Sequence, residues 1–281
     1  MTRPALAREI ALAQSLYPGA TWERARVEEG GQFHLVLIAQ DEAVLRMSRT
    51  NDAAAQLQRR VDLIEALAPH LGFAMPTALS PVWHGEDCSA VVQRFIPGAA
   101  HTPLRGDPVR LRALLDQLAG IDVEPLAGLL AQPFAFRGPW NTAKTSATLG
   151  LLPATLMADA EQVLAAIAGF DSIPPALVHG DLAGHNVHWL DGELSGVLDW
   201  DLAAAWDPAL NSAYLAMWHG EDLLGQIAPT AEEAWRARVW LGAMSLESIY
   251  NISLGPDAGR LEAMVAKVTA RIQRAAAAAS A

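Results

Sequence analysis

Apolar residues recur along this chain in two rhythms, and the change from one to the other divides it. Residues 4–16 carry apolar positions at helical spacing and stop at Pro18-Gly19, which predicts an opening helix. Glu28–Gln40 and Glu42–Ser48 follow with apolar centres. Leu35, Val36, Leu37 and Ile38 predict a buried strand, with Asp41-Glu42 as the turn into the next. Asn51–His70 returns to helical spacing, with Leu57, Val61, Ile64 and Leu67 in one stripe and Asn51 or Asp52 as cap. Thr77–Val82 and Ser89–Phe95 predict further strands around a turn at His84–Asp87, and the run breaks at Pro97-Gly98.

Beyond that break the pattern is helical. Helices are expected over Pro108–Ile121, Pro153–Phe170, Pro208–Trp218, about Ala231–Ile252, and Asp257–Ala278. Pro133–Thr145 has no period and reads as a loop, and the terminal RAAAAASA reads as a fraying helix end. A shift from strands to helices predicts an α+β chain with its boundary near residues 97–98.

Length and composition narrow the class. At 281 residues, 52% hydrophobic and 18% charged, the chain has ample material for a large core. A net charge of −11 argues against nucleic acid as a partner and is compatible with a cationic small molecule. The single cysteine, Cys88, excludes an intrachain disulfide and fits a reducing compartment. Arg3, Arg8 and Glu9 interrupt the N-terminal apolar run, so it is neither a signal core nor a membrane span. A cytoplasmic protein with no membrane partner is the expectation.

The chemistry concentrates between Leu177 and Leu210. Asn186–Leu190 and Glu193–Leu198 flank Asp191-Gly192, a strong hairpin signal because both turn residues must accept positive φ. A hairpin's outer ends meet, which brings Asp181, Asn186 and Asp199 to one edge. One free carboxylate beside an amide and a second carboxylate suits phosphoryl transfer. Asp181 would orient and deprotonate an attacking hydroxyl, while Asn186 and Asp199 hold Mg²⁺ on the nucleotide phosphates. His179, His185 and His188 lack a zinc-ligand spacing, and no Gly-x-Ser-x-Gly occurs.

His179-Gly180-Asp181, Asn186 five residues on, the hairpin, Asp199-Trp200-Asp201 and Asp207-Pro208 together resemble the aminoglycoside phosphotransferase-like family. These are small-molecule kinases built on the protein-kinase fold. The resemblance implies a bilobal α+β molecule. Residues 1–97 would form a small antiparallel-sheet lobe that binds nucleotide, and residues 98–281 a mainly helical lobe that carries catalysis and the acceptor. It implies that Gly30 and Gly31 cover the phosphates, that Arg46 on the third strand grips them, and that backbone groups near Arg94 and Ile96 meet the purine. Backbone recognition leaves ATP and GTP both open as donors.

Two departures stand out. Arg60 sits about where the family's helix glutamate is expected, with Asp62 and Glu65 nearby, so the acid partner of Arg46 is unassigned. His34 and Asn211 stand where the family often has Asn and Asp. His179 is expected to buttress the catalytic loop. Trp140 and Trp218 are candidates for a ring-binding pocket, while Glu221, Asp222 and Glu247 fall in the acceptor region and read more readily as solvated faces or caps. The implied acceptor is a hydroxylated small molecule headed by aminoglycosides, with macrolides, choline-like alcohols, homoserine and sugars open. A nucleotide-binding pseudokinase without turnover is the alternative of a different class.

Overall fold

A computed structural model describes residues 2–280 apart from Gln32, Gln40, Phe136 and Pro256, so parts of the segments expected over Glu28–Gln40 and Pro133–Thr145 lie outside the described residues. The elements run β1 (Thr2–Pro4), α1 (Ala7–Leu16), β2 (Arg26–Glu28), β3 (His34–Ala39), β4 (Ala43–Ser48), α2 (Asn51–Leu67), β5 (Trp83–His84) and β6 (Ser89–Arg94). Next come α3 (Pro108–Ala119), α4 (Thr142–Leu149), α5 (Ala154–Ala168), β7 (Ala176–Val178), β8 (Val187–Leu190), β9 (Glu193–Val197) and β10 (Ala204–Trp206). The chain closes with α6 (Ala209–His219), α7 (Leu224–Ile227), α8 (Ala231–Ser253) and α9 (Ala258–Ala279). Among the described residues no helix is long and apolar enough to cross a membrane.

Packing divides the chain into two compact units, and the division is not a single cut. The first holds residues 1–100, 125–130 and 185–201, and the second holds the rest. The hairpin β8–β9, placed with the helical lobe on sequence grounds, therefore packs with the first unit. The reason is local pairing. Ala99 and Trp189 exchange both backbone hydrogen bonds, at 3.1 and 2.9 Å, and Ala74 N–H donates to Ser195.

In the first unit β1–β2–β3–β4–β6–β5 form one antiparallel sheet. Trp22, Val27, Leu37, Leu45 and Val92 build its core, with α1 packed on it, and Leu57 and Val61 of α2 pack against Val91. Several local expectations give way. Pro4 pairs with Arg26 of β2 instead of beginning the helix, which starts at Ala7. Thr50, not Asn51 or Asp52, caps α2, its hydroxyl accepting from Ala53 N–H at 3.1 Å. Thr77–Val82 is no strand: its backbone meets β6 at an isolated bridge, Ala78–Gln93, beyond which Ser80 spends its hydroxyl on Val92 N–H and Pro81 has no donor to offer. The strand pairing resumes at β5, inside the expected turn.

The second unit packs α5, α6, α8 and α9 together, and β7 pairs with β10 beside them. The region expected as a loop over 133–145 contains the start of α4, capped by Asn141.

Candidate active site

The catalytic stretch is set by backbone geometry. Asp191 and Gly192 take φ of 51° and 80°, the left-handed pair that a two-residue hairpin turn demands. Gly180, at φ 84°, lies against the Leu202 backbone so closely that a Cβ would collide with it. That close approach holds His179-Gly180-Asp181 in place. His179 is fully buried, and its Nδ1 accepts from Asp181 N–H at 3.2 Å, the buttressing expected of it. Asn211 explains its own departure from the family. Its amide oxygen accepts from His179 N–H at 3.0 Å while its nitrogen donates to Leu177 O at 2.8 Å. An aspartate could not donate that second bond.

Asp181 opens onto a cavity of about 200 Å³ within the second unit. Phe134, Trp140, Trp206 and Trp240 supply aromatic wall, and Glu247 a second carboxylate. Trp206 stacks edge-on against Phe134 and Trp240, with centroids 4.4 and 5.4 Å apart. Asp207 fixes this wall, accepting from Trp240 Nε1 at 2.8 Å and from Arg236 Nε at 3.1 Å. Burial, with Asp181 and Glu247 nearby, raises the Tyr214 phenol well above its ordinary range, so it faces the cavity as a protonated donor. Of the two candidate ring-binding tryptophans, Trp140 lines the cavity. Trp218 packs instead against Gly184 and donates to His101 O. Glu221 is taken up by Arg271 and Arg274.

The first unit carries the other candidates. Asn186 and Asp199 stand at the open end of the hairpin, joined by Leu198 N–H donating to Asn186 O at 2.8 Å. Asp199 is in the left-handed region, at φ 57°, a conformation that costs a non-glycine residue on the order of 1 kcal/mol and is concentrated at functional sites. Its side chain keeps 49% exposure, while Asn186 is buried. One amide and one carboxylate are hard oxygen donors of the kind Mg²⁺ takes, so the residues present fit the ion.

Gly30 and Gly31 lie between β2 and β3. Gly30 borders open space, and Arg49 binds the carbonyls of Glu29 and Gly31 at 3.2 and 2.8 Å. Arg94 ends β6 and gives its N–H to Thr77 O, and buried Ile96 offers its carbonyl to His188.

Arg46 sits mid-sheet, paired in register with Val36 and Val91. Its Nη2 lies 2.6 Å from Asp201 Oδ2 and 3.2 Å from Asp199 Oδ1. Arg60, reaching from α2, lies 3.0 Å from the same Asp201 oxygen. Burial opposes ionisation of Asp201, but Arg46 and Arg60 outweigh it and hold its carboxyl below the usual range. Burial, reinforced by Arg46, lowers the His34 imidazole to about 3, so it is neutral. From the sequence, Asp201 is a neighbour of the metal candidate and the first alternative to Asp181 as base. Asp-x-Asp after a hairpin, facing a lone arginine on a strand, was the available signal.

Viomycin phosphotransferase of Streptomyces vinaceus is 35% identical over 238 residues, covering 77% of this chain and 80% of its own. Among solved structures, the macrolide 2′-phosphotransferase of Brachybacterium faecium superposes with a TM-score of 0.66 at 24% identity, covering 93% of this chain and 97% of its own. The GDP complex of aminoglycoside 2′-phosphotransferase IIIa gives 0.70 at 14% identity, covering 95% and 97%. These likenesses establish the kinase-like α+β fold. With the profile of the phosphotransferase enzyme family matching residues 25–246, the chain belongs to that family and is a small-molecule kinase.

Proposed function

We propose that this enzyme transfers the γ-phosphate of ATP or GTP to a hydroxyl of an antibiotic, an aminoglycoside or a related compound. The relative at 35% identity makes viomycin the first compound to try. The observation that supports this most directly is the cavity itself. It sets the Asp181 carboxylate among aromatic rings, a lining suited to a ring-bearing acceptor with a hydroxyl to present.

In this reading Asp181 orients the acceptor hydroxyl and takes its proton as the oxygen attacks phosphorus. Asn186 and Asp199 would hold Mg²⁺, which neutralises phosphate charge when bound. Gly30 and Gly31 cover the phosphates with backbone N–H groups, Arg46 grips them, and the backbone around Arg94 and Ile96 meets the purine. Residues 1–97 thus serve the nucleotide and 98–281 supply catalysis and the acceptor site, the hairpin excepted by its packing. Neutral Tyr214 adds a donor on the acceptor side. The enzyme acts in the cytoplasm, where the nucleotides are.

The test is nucleoside diphosphate release across viomycin, aminoglycosides, macrolides and small alcohols, each with ATP or GTP and with or without magnesium. Magnesium-dependent transfer to an antibiotic hydroxyl is expected. Nucleotide binding without transfer to any acceptor in the panel would favour a pseudokinase.

A further inference from the structure

We propose that Asp201 is the positioning residue for the phosphate-binding cation Arg46, and that Arg60 anchors it from helix α2. A carboxylate that the family resemblance places on the helix is here supplied by the loop after β9, while the helix supplies a cation. The inference rests on the functional reading above, since it assigns Arg46 to the phosphates.

Among the described residues Asp201 is the one anion in contact with both arginines. Its Oδ2 lies 2.6 Å from Arg46 Nη2 and 3.0 Å from Arg60 Nη1, and all three side chains are nearly buried. The acids of α2 nearest the expected position are engaged elsewhere. Asp62 accepts from Gln58 Nε2 at 2.8 Å, and Glu65 accepts from Ala78 N–H at 2.9 Å. His34 cannot substitute. Its Nδ1 lies 3.0 Å from Arg46 Nη2 and its Nε2 3.2 Å from Arg60 Nη1, yet a neutral imidazole has one acceptor nitrogen and no charge.

A second observation shows that the cluster is not built for hydrogen-bond economy. Asp201 Oδ1 and Arg60 Nε are buried with no hydrogen-bond partner among the described residues. A buried ion pair is seldom more stable than an apolar replacement, so its use here is better explained by geometry than by stability. What the geometry achieves is plain. Arg46 Nη2 is held 3.2 Å from Asp199 Oδ1, beside the carboxylate assigned to the metal. Without Asp201, two buried guanidinium groups would face each other across His34, and Arg46 would lose the anchor that sets its direction.

The experiment is nucleotide Kd, nucleotide KM, acceptor KM and kcat for wild type, Asp201→Asn, and Arg60→Glu/Asp201→Asn, with circular dichroism to establish folding. In Asp201→Asn, nucleotide Kd and KM should rise on the order of tenfold to a hundredfold, as displacement of a positioning group does, with acceptor KM within about twofold of wild type. The double variant returns a carboxylate from the helix and should recover much of the nucleotide affinity. A purely structural role would lower the amount of active enzyme without moving Kd. A folded Asp201→Asn with wild-type nucleotide Kd overturns the inference. If Asp201→Asn does not fold, the double variant decides: folded and binding nucleotide supports it, folded without binding overturns it. A wild type that binds no nucleotide overturns the functional reading as well, which separates the two failures.

Discussion

Lys144 Nζ lies 2.8 Å from Glu247 Oε1 and 4.6 Å over the Trp140 ring, a buried cation that ties α4 to α8 at the wall of the acceptor cavity. It also donates to the carbonyls of Arg137 and Gly138, at 3.2 and 3.0 Å, so one ammonium fastens the loop before α4. Arg137 Nη1 approaches the other Glu247 oxygen at 3.6 Å.

Replacing that ammonium should therefore loosen one wall of the cavity. Lys144→Met leaves Glu247 with only the longer Arg137 contact and three acceptors unserved. Destabilisation on the order of 2–3 kcal/mol is expected, below the full cost of a broken buried pair because Glu247 retains some exposure and a second cation. Acceptor KM should rise while nucleotide KM stays put. Urea unfolding and steady-state kinetics check both, and an unchanged acceptor KM would show that the loop does not shape the acceptor site.

Asp181→Asn tests the proposed base. The amide keeps the shape but cannot accept the hydroxyl proton or attract it as an anion. Turnover should fall about 10²–10⁴-fold, toward the lower end because a loose transition state lets the proton leave late. Nucleotide Kd should not change. Wild-type kcat in this variant would place the base elsewhere. Asp201 is a poor substitute, since Arg46 and Arg60 already hold it.

Asp199→Ala separates metal binding from proton transfer. If Asp199 serves Mg²⁺ and Asp181 the acceptor, Asp199→Ala should weaken magnesium-dependent nucleotide binding more than Asp181→Ala does. Titration calorimetry at saturating magnesium makes the comparison. Equal affinities would contradict the division of roles.

His34 makes stability depend on pH in a definite direction. Folded, it is neutral down to about pH 3, with Arg46, Arg60 and Asp201 around it; unfolded, it titrates near 6.5. Between those values the unfolded chain binds a proton that the folded chain does not. Its contribution is thus complete above about pH 6.5 and falls as pH falls, by at most about 1.4 kcal/mol per pH unit. In His34→Asn that slope should flatten between about pH 6.5 and 4.5 in urea midpoints. Parallel profiles for the two proteins would assign the titration to another group.

What the chain determined by itself is what short-range geometry controls. Asp191-Gly192 selects the left-handed turn whatever surrounds it, so the hairpin was legible from residue identity. The apolar stripe of α2 and the uniform apolar centre of β3 likewise identify themselves, because burial imposes a period on residues a few positions apart. Only tertiary structure decided which charges meet. Arg46 and Asp201 are 155 positions apart, and no local rule links them. The helix position where an acid was expected holds Arg60, and the missing carboxylate arrives from the loop after β9. Lys144, in a stretch that reads as a loop, acquires its place only when α8 brings Glu247 beside it. Likewise the hairpin's membership of the first unit follows from strand pairing with residues near 74 and 99, not from its own sequence. Backbone torsions and side-chain periods are properties of neighbours along the chain, whereas a buried ion pair is a property of neighbours in space, fixed only once the core has packed.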